Sequence, residues 1–255
     1  MKSYYFIALA TVFTPQVFAD MDTVKIGIDA TYPPFESKTS EGRIVGFDYD
    51  IGNAICEEMT VKCAWVEQDF DGLIPALKVK KIDAILSSMS ITEDRRKSVD
   101  FTEKYYEAQA NLILKKGSTI SDSLVELDGK KIGVQRGTTH VQFAKEVLAP
   151  HGADVKVYGS QNEIFLDIES GRLDGTLADS TLLSNGFLKT EPGQNYAFAG
   201  PTFNDKQYFG DGVGIAVRKG DALREKINTA IVAIRNNGKY QAIQSKYFDF
   251  DIYGK

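Results

Sequence analysis

Apolar and polar positions follow one another along the chain in two units of the same design. Each unit has the order strand, helix, strand, helix, strand, with short buried strands and helices that carry one apolar face. The first unit covers 23–88 and the second 127–179, and strand 24–28 of the first is similar to strand 131–134 of the second. This repetition predicts an α/β fold of two lobes, each a mainly parallel sheet with flanking helices.

The remaining elements follow from the same periodicities. The first helix is predicted to begin with Asp48 as its N-cap. After the second unit, 212–217 predicts a strand, 221–237 a helix capped by Asp221, and 240–248 an amphipathic segment that packs on the core. We expect these last elements to return to the first lobe.

Two crossings between the lobes follow from this order. They are expected near 107–110 and near 204–212, where they would act as a two-strand hinge. Lobe 1 then comprises 20–108 and 211–255, and lobe 2 comprises 109–210.

Polar side chains stand at the carboxyl ends of four predicted strands. They are Asp29 in the first unit, Ser87, Ser88 and Ser90 later in that unit, Thr138 and Thr139 in the second unit, and Asp179 at its end. Ligands of parallel α/β sheets bind beyond the carboxyl ends of the strands. We therefore expect four loops from two lobes to face one cleft, and coincidence is the alternative.

The stretch 87–96 combines hydroxyl groups, a helix start and a guanidinium. Its serines precede a helix predicted to begin near Glu93, and Arg95 falls in the first turn. Hydroxyls, the free N–H groups of a helix start and an arginine together suit a carboxylate. The stretch therefore predicts a carboxylate site, with a solvated loop of ordinary charges as the alternative.

Residues 1–19 have the pattern of a cleaved secretory signal peptide. Lys2 gives a positive start, an apolar run follows, and the residues up to Ala19 suit cleavage before Asp20. The apolar run is too short to span a bilayer. Cleavage leaves 29 basic and 35 acidic side chains, a net charge of −6, which argues against nucleic acid or an anionic membrane as partner.

The chain has two cysteines, Cys56 and Cys63. In an exported protein so close a pair predicts a disulfide, here between the end of the first helix and the start of the next strand. A zinc site would need further ligands, and His140 and His151 lie far away in the sequence. We expect neither a metal nor a cofactor.

The motifs of the mature chain resemble those of a known family. They are TYPPF at 31–35, GFDYD at 46–50, DFDGLIP at 69–75, SSMSITEDR at 87–95, GVQRGTTH at 133–140 and YFG at 208–210. Together they resemble the periplasmic solute-binding proteins that feed polar amino acids to ABC importers, above all the lysine/arginine/ornithine, histidine and arginine binders. Tyr49 departs from the family motif, which usually has an aliphatic residue there, and this concerns helix packing.

The resemblance implies how the charges of an amino acid are held. Arg95 would bind the α-carboxylate with help from Ser90 and Thr139. Asp179 and Ser88 would bind the α-ammonium. An ion pair within its own lobe is the alternative for Asp179.

The resemblance also implies what surrounds the ligand side chain. Tyr32 and Phe70 would sandwich it, Asp29 would pair with its distal cation, and Ser87 would line the same loop as the other serines. The alternatives are a capping role for Asp29 in its own turn and a place in the lobe core for the two aromatic residues.

On this resemblance we expect a periplasmic monomer that binds a cationic L-amino acid and delivers it to an ABC importer permease by closing two lobes. Arginine is the first candidate because arginine-selective relatives carry a Thr-Thr-His run like 138–140, and lysine, ornithine and histidine are the others. A ligand-sensing domain that acts through a membrane partner is one alternative.

An enzyme on the same fold, of the dehydratase type, is the other alternative. Such chemistry needs a general acid close to the leaving group. Glu36 is the extra acid nearest to the aromatic turn, and we expect it to be a solvated loop residue. We therefore expect a binding protein and not an enzyme.

Overall fold

Strands and helices alternate through most of the chain, as the apolar pattern predicts. The computed structural model describes residues 22–118, 120–121 and 123–254. The predicted signal peptide, 1–19, lies outside the described residues. Within these ranges we find no helix with the length and apolar character of a membrane span.

The described residues form short strands and helices that follow one another closely. In chain order the strands are β1 (Thr23–Ile28), β2 (Ser37–Lys38), β3 (Ile44–Val45), β4 (Lys62–Glu67), β5 (Ala84–Ile85), β6 (Asp100–Tyr106), β7 (Ala110–Lys115), β8 (Lys131–Gln135), β9 (Asp154–Tyr158), β10 (Gly175–Asp179), β11 (Tyr196–Phe203) and β12 (Val213–Val217). The α-helices are α1 (Phe47–Glu58), α2 (Phe70–Lys78), α3 (Glu93–Arg96), α4 (Thr139–Phe143), α5 (Gln161–Glu169), α6 (Ser180–Leu182), α7 (Lys206–Phe209), α8 (Leu223–Asn236) and α9 (Lys239–Tyr247). Ala144–Leu148 and Leu183–Phe187 are π-helical turns that continue α4 and α6. Short 3₁₀ turns cover Val125–Leu127, Ala149–His151 and Pro192–Asn195.

Two five-stranded sheets form the lobes, and β2 and β3 form a small ribbon. The first sheet has the order β4-β1-β5-β12-β6, with β4, β1 and β5 parallel and β12 antiparallel to both of its neighbours. The second has the order β11-β7-β10-β8-β9, with β9, β8 and β10 parallel and β7 antiparallel to its neighbours. The arrangement β4-β1-β5 thus recurs as β9-β8-β10, which confirms the two-lobed α/β fold with mainly parallel sheets.

The chain passes between the two sheets twice. It leaves the first sheet after β6, at Tyr106, and enters the second with β7, at Ala110. It returns from β11, which ends at Phe203, to β12, which begins at Val213. The hinge role of these segments and the lobe boundaries stay predictions.

An aromatic cluster fixes the turn that follows β1. The ring of Phe35 stacks on Tyr106 of β6 at 4.8 Å, and Phe47 at the start of α1 packs edge-on against Phe248 at 5.3 Å. Such ring pairs add to the stabilisation that burial of their area provides. The cluster therefore anchors the turn that presents Tyr32 and Glu36 at the edge of the first sheet.

A disulfide joins the end of α1 to β4. Cys56 and Cys63 are bonded with an S–S distance of 2.04 Å, and Cys56 is buried. This confirms the pairing predicted from the sequence. The link closes a short loop between a helix and the edge strand of the first sheet.

The predicted N-cap of α1 is wrong. The helix begins after Gly46, which has φ 133°, and a Cβ on this residue would lie 2.2 Å from the carbonyl oxygen of Phe35. Only glycine fits so close an approach with this backbone conformation. Asp48 instead lies inside the helix, is 0% exposed, and turns its carboxylate inward to accept the backbone N–H of Ser88 at 2.7 Å.

Candidate functional site

A small cavity lies where the carboxyl ends of β1, β5, β8 and β10 meet. The nine candidate binding residues predicted from the sequence all line it: Asp29, Tyr32, Phe70, Ser87, Ser88, Ser90, Arg95, Thr139 and Asp179. Strand ends of both sheets therefore face one site, as parallel α/β sheets favour.

Asp29 directly follows β1 and is 6% exposed. Its Oδ2 accepts a hydrogen bond from Nε2 of Gln135, at the end of β8, at 2.6 Å, and its backbone N–H donates to Oγ of Ser87 at 2.9 Å. Burial raises the pKa of Asp29 to about 6, and the bond from Gln135 opposes this rise. Because that donor is a neutral amide, the charge of the carboxylate is not cancelled by it.

Arg95 reaches across the cleft from the short helix α3. Its backbone N–H donates to Oγ1 of the N-cap residue Thr92 at 3.3 Å, as expected for a helix start. Its guanidinium donates to the carbonyl oxygens of Ser90 at 2.8 Å and Gly137 at 3.1 Å. Burial lowers the pKa of Arg95 to about 10, against the effect of the nearby Asp179 charge, so the group is cationic at neutral pH.

Asp179 ends β10 on the opposite side of the cleft and is buried. Its backbone N–H donates to the hydroxyl of Tyr32 at 3.3 Å. Nε2 of His140 lies 3.2 Å from Oδ1 of Asp179, which is an ion-pair distance although the angles are not those of a hydrogen bond. The carboxylate therefore faces the cavity and also has a partner within its own lobe.

Tyr32 and Phe70 combine packing with a place in the cavity wall. Both are buried, and the ring of Tyr32 lies 6.2 Å from that of Phe35. The guanidinium carbon of Arg95 lies 5.4 Å from the ring centre of Phe70, within the range of a cation–π contact. Both residues therefore pack in the core of lobe 1 and also line the cavity.

The family of the chain is settled by its sequence over almost all described residues. Residues 24–250 match the model of the bacterial extracellular solute-binding proteins, family 3. The chain belongs to this family. Its fold is the type 2 fold of periplasmic binding proteins.

Named relatives of this solute-binding protein bind amino acids. It is 57% identical over 249 residues to the L-arginine-binding protein of Pseudomonas aeruginosa, and the aligned region covers 97% of this chain and 96% of that protein. It is 48% identical over 234 residues to the lysine/arginine/ornithine-binding periplasmic protein of Escherichia coli, with 91% and 90% covered. A Salmonella typhimurium periplasmic binding protein of high arginine specificity superposes with a TM-score of 0.83 at 36% identity, over 89% of this chain and 99% of that one. These relatives are binding proteins and not enzymes, which confirms the expected class.

Further residues of this solute-binding protein line the cavity beside the nine predicted ones. They are Glu36, Gln135, Thr138 and His140. Gln135 carries the same signal as Asp29, since it is a polar residue at the carboxyl end of a buried strand. Thr138 and His140 flank the predicted Thr139. Within the described ranges, no grouping of His, Cys, Asp and Glu is suited to a metal ion.

Glu36 corrects an expectation, because it is not a solvated loop acid. It is 1% exposed, and its two carboxyl oxygens accept the hydroxyls of Ser87 at 3.0 Å and Ser88 at 3.3 Å. The turn anchored by Phe35 directs the side chain inward, beneath the loop after β5. Burial and the adjacent charge of Asp48 raise the pKa of Glu36 well above its usual range.

Proposed function

We propose that this protein binds a free cationic L-amino acid, arginine first, and delivers it to the permease of an ABC importer. Lysine, ornithine and histidine are the other candidates. The observation that carries the proposal is the buried carboxylate of Asp29 on the cavity wall, hydrogen bonded by a neutral amide. A wall that holds this charge besides Arg95 and Asp179 suits a zwitterion with one additional positive charge. The names of the relatives support the same ligand class.

The two charges on the α-carbon are held by different loops in this proposal. Arg95 binds the α-carboxylate together with Ser90 and Thr139, and Asp179 and Ser88 bind the α-ammonium. A hydrogen bond to a charged group contributes about 1.5–3 kcal/mol. Several such bonds suit affinities of about 8–12 kcal/mol, which correspond to micromolar to nanomolar binding.

The ligand side chain extends toward Asp29 in this proposal. Tyr32 and Phe70 enclose it on two sides, Asp29 pairs with the distal cation, and Ser87 holds Asp29 in place through the backbone N–H. A cation over an aromatic face contributes about 0.5–2 kcal/mol. A neutral ligand of the same length would leave the buried carboxylate unpaired, which is the basis of the selectivity.

Closure of the lobes completes the site. Three hydrogen bonds already cross the cleft. Gln135 donates to Asp29, the backbone N–H of Asp179 donates to the hydroxyl of Tyr32, and Arg95 donates to the carbonyl oxygen of Gly137. A ligand can enter only when these contacts open, so we propose that the segments 107–110 and 204–212 act as the hinge. Lobe 1 is then 20–108 with 211–255, and lobe 2 is 109–210.

Calorimetric titration of the purified mature protein tests the ligand class. Arginine, lysine, ornithine, histidine and glutamine are titrated under the same conditions. We expect arginine to bind most tightly and glutamine more weakly by at least about 100-fold, because it leaves Asp29 without a cation. Equal affinity for arginine and glutamine would contradict the proposal.

We further propose that the protein is a periplasmic monomer released by cleavage after Ala19. The periplasmic relatives support this location, as does the signal pattern of 1–19. Amino-terminal sequencing of protein from a periplasmic extract should begin at Asp20. Light scattering after gel filtration should give the mass of one chain.

A further inference from the structure

A pair of buried carboxyl groups contacts the serines of the cavity. Glu36 and Asp48 are 1% and 0% exposed, and both lie within hydrogen-bond distance of the same hydroxyl group. Oγ of Ser88 lies 3.3 Å from a carboxyl oxygen of each. Two ionised carboxylates in contact repel each other strongly away from water, so such a pair holds a proton between them.

The hydrogen-bond donors around the pair differ between its two members. Oδ2 of Asp48 receives the backbone N–H of Ser88 at 2.7 Å, the hydroxyl of Tyr105 at 2.7 Å and a contact from Oγ of Ser88 at 3.3 Å. Glu36 receives only the hydroxyls of Ser87 and Ser88 among the described residues. Asp48 accepts more hydrogen bonds and is therefore the better-stabilised anion. The proton accordingly belongs on Glu36.

An unpartnered oxygen marks where this proton points. Oδ1 of Asp48 is buried and has no hydrogen-bond partner among the described residues. A proton on Glu36 directed at this atom satisfies it. The burial of Glu36 and the charge of Asp48 act in the same direction, since both raise the pKa of Glu36 well above its usual range.

The serine hydroxyls are oriented by this pair. Oγ of Ser87 accepts the backbone N–H of Asp29 at 2.9 Å and donates to Glu36 at 3.0 Å, so its proton points at Glu36. Ser88 has φ 49°, a conformation rare for serine, and Asp48 holds it there through the backbone N–H. A hydroxyl that donates to the acid pair keeps its lone pairs free for another donor.

We propose that Glu36 is a positioning residue for the ligand: with Asp48 it holds one shared proton and directs the hydroxyl protons of Ser87 and Ser88 toward the two acids. Ser88 then presents lone pairs to the ligand ammonium, and Ser87 keeps Asp29 in register with the distal cation. The inference rests on the proposed function, since the ammonium is that of the bound amino acid.

Matched variants of Glu36 test the role by calorimetric titration with arginine. Glu36→Met keeps the length of the side chain and removes both oxygens, and it should weaken binding by at least about tenfold. Glu36→Gln retains an acceptor for Ser87 and a donor for Asp48, and it should recover most of this loss. Glu58→Gln, at an exposed position, is the control and should bind like the wild type. Thermal unfolding of each variant verifies that it is folded.

A double-mutant cycle with Ser88→Ala separates positioning from general structural damage. If Glu36 acts through this hydroxyl, Glu36→Met should weaken arginine binding much less in the Ser88→Ala background than in the wild type. Infrared spectroscopy of the ligand-free wild type at neutral pH should show the C=O band of a protonated carboxylic acid, and Glu36→Gln should lack it.

Three results would each overturn the inference. They are equal arginine affinity of folded Glu36→Met and wild type, additive effects of Glu36→Met and Ser88→Ala, and absence of the protonated-acid band from the wild type. Failure of the wild type to bind arginine would instead contradict the proposed function, and the infrared measurement does not depend on that outcome.

Discussion

Arg95 and its neighbour Arg96 differ in what their side chains contact. Arg95 crosses the cleft, whereas Arg96 is exposed and lies 3.8 Å from Glu93. Arg95→Ala should lower the affinity for every amino acid ligand by at least about 100-fold, because it removes the cation that binds the α-carboxylate. Arg96→Ala is the matched control and should change the affinity less than about twofold. Calorimetry decides, and binding retained by Arg95→Ala would show that the carboxylate is held elsewhere.

Asp29 should make arginine binding depend on pH. Because its pKa is raised to about 6, the ligand-free carboxyl takes up a proton below that pH, and a bound cation has to displace it. The affinity should therefore be constant above about pH 7 and fall by up to about tenfold for each pH unit below about 6. Calorimetric titrations across this range measure the profile.

Asp29→Asn supplies the control for this profile. The variant should bind arginine more weakly than the wild type at neutral pH and should lose most of the pH dependence, since no carboxyl titrates at this position. A wild-type affinity that stays constant well below pH 6 would show that Asp29 does not pair with the ligand cation.

At the scale of single elements, the Cys56–Cys63 disulfide ties α1 to β4 and lines no part of the cavity. Replacing both cysteines by alanine should lower the free energy of unfolding by about 2.5 kcal/mol, the loop-entropy value for so short a ring. Urea denaturation measures this loss. Arginine affinity should stay within about twofold of the wild type, and a large fall in affinity would show that the disulfide shapes the site.

The apolar pattern predicts the elements well where a strand is buried along most of its length. Strands β1, β8 and β12 lie where the sequence predicts them, since continuous apolar runs mark them. The apolar run 82–86 also predicts a strand, and the observed strand is confined to Ala84–Ile85, because only these residues have ladder partners in β1 and β12. Periodicity reports which positions are buried, and pairing with distant strands decides where a strand ends.

The candidate site can be predicted only in part, for a similar reason. Polar residues at strand ends, such as Asp29 and Asp179, are visible in the sequence because parallel sheets place ligands there. Glu36 and Asp48 are instead predicted wrongly, as a loop acid and a helix cap. Their inward direction depends on contacts with Ser88 and Tyr105, far along the chain, and no local pattern contains that information.

At the scale of the whole molecule, Gly137 allows a close approach between the lobes. It has φ 79°, and a Cβ there would lie 2.9 Å from Cα of Asp71 at the start of α2. Gly137→Ala should therefore hold the cleft partly open and weaken arginine binding by about tenfold. Calorimetry measures the affinity.

Gly171 provides the matched control for closure. It has φ 74°, and a Cβ there would meet no atom within 4 Å. Gly171→Ala should cost about the same 1 kcal/mol of backbone strain in thermal unfolding as Gly137→Ala, without a change in affinity. Similar affinities of the two variants would show that contact at Gly137 does not limit closure.

The position of β12 determines which of the two sheets can be completed first during synthesis. This strand lies between β5 and β6, so β6 joins the first sheet only through Val213–Val217. The chain is synthesised from its amino end. Once Phe203 has been added, every strand of the second sheet is present, whereas the first sheet still lacks β12. The first sheet therefore cannot be completed until nearly the whole polypeptide has been made. Such a delay would keep the chain unfolded for passage through a secretion channel, as the export proposed above requires.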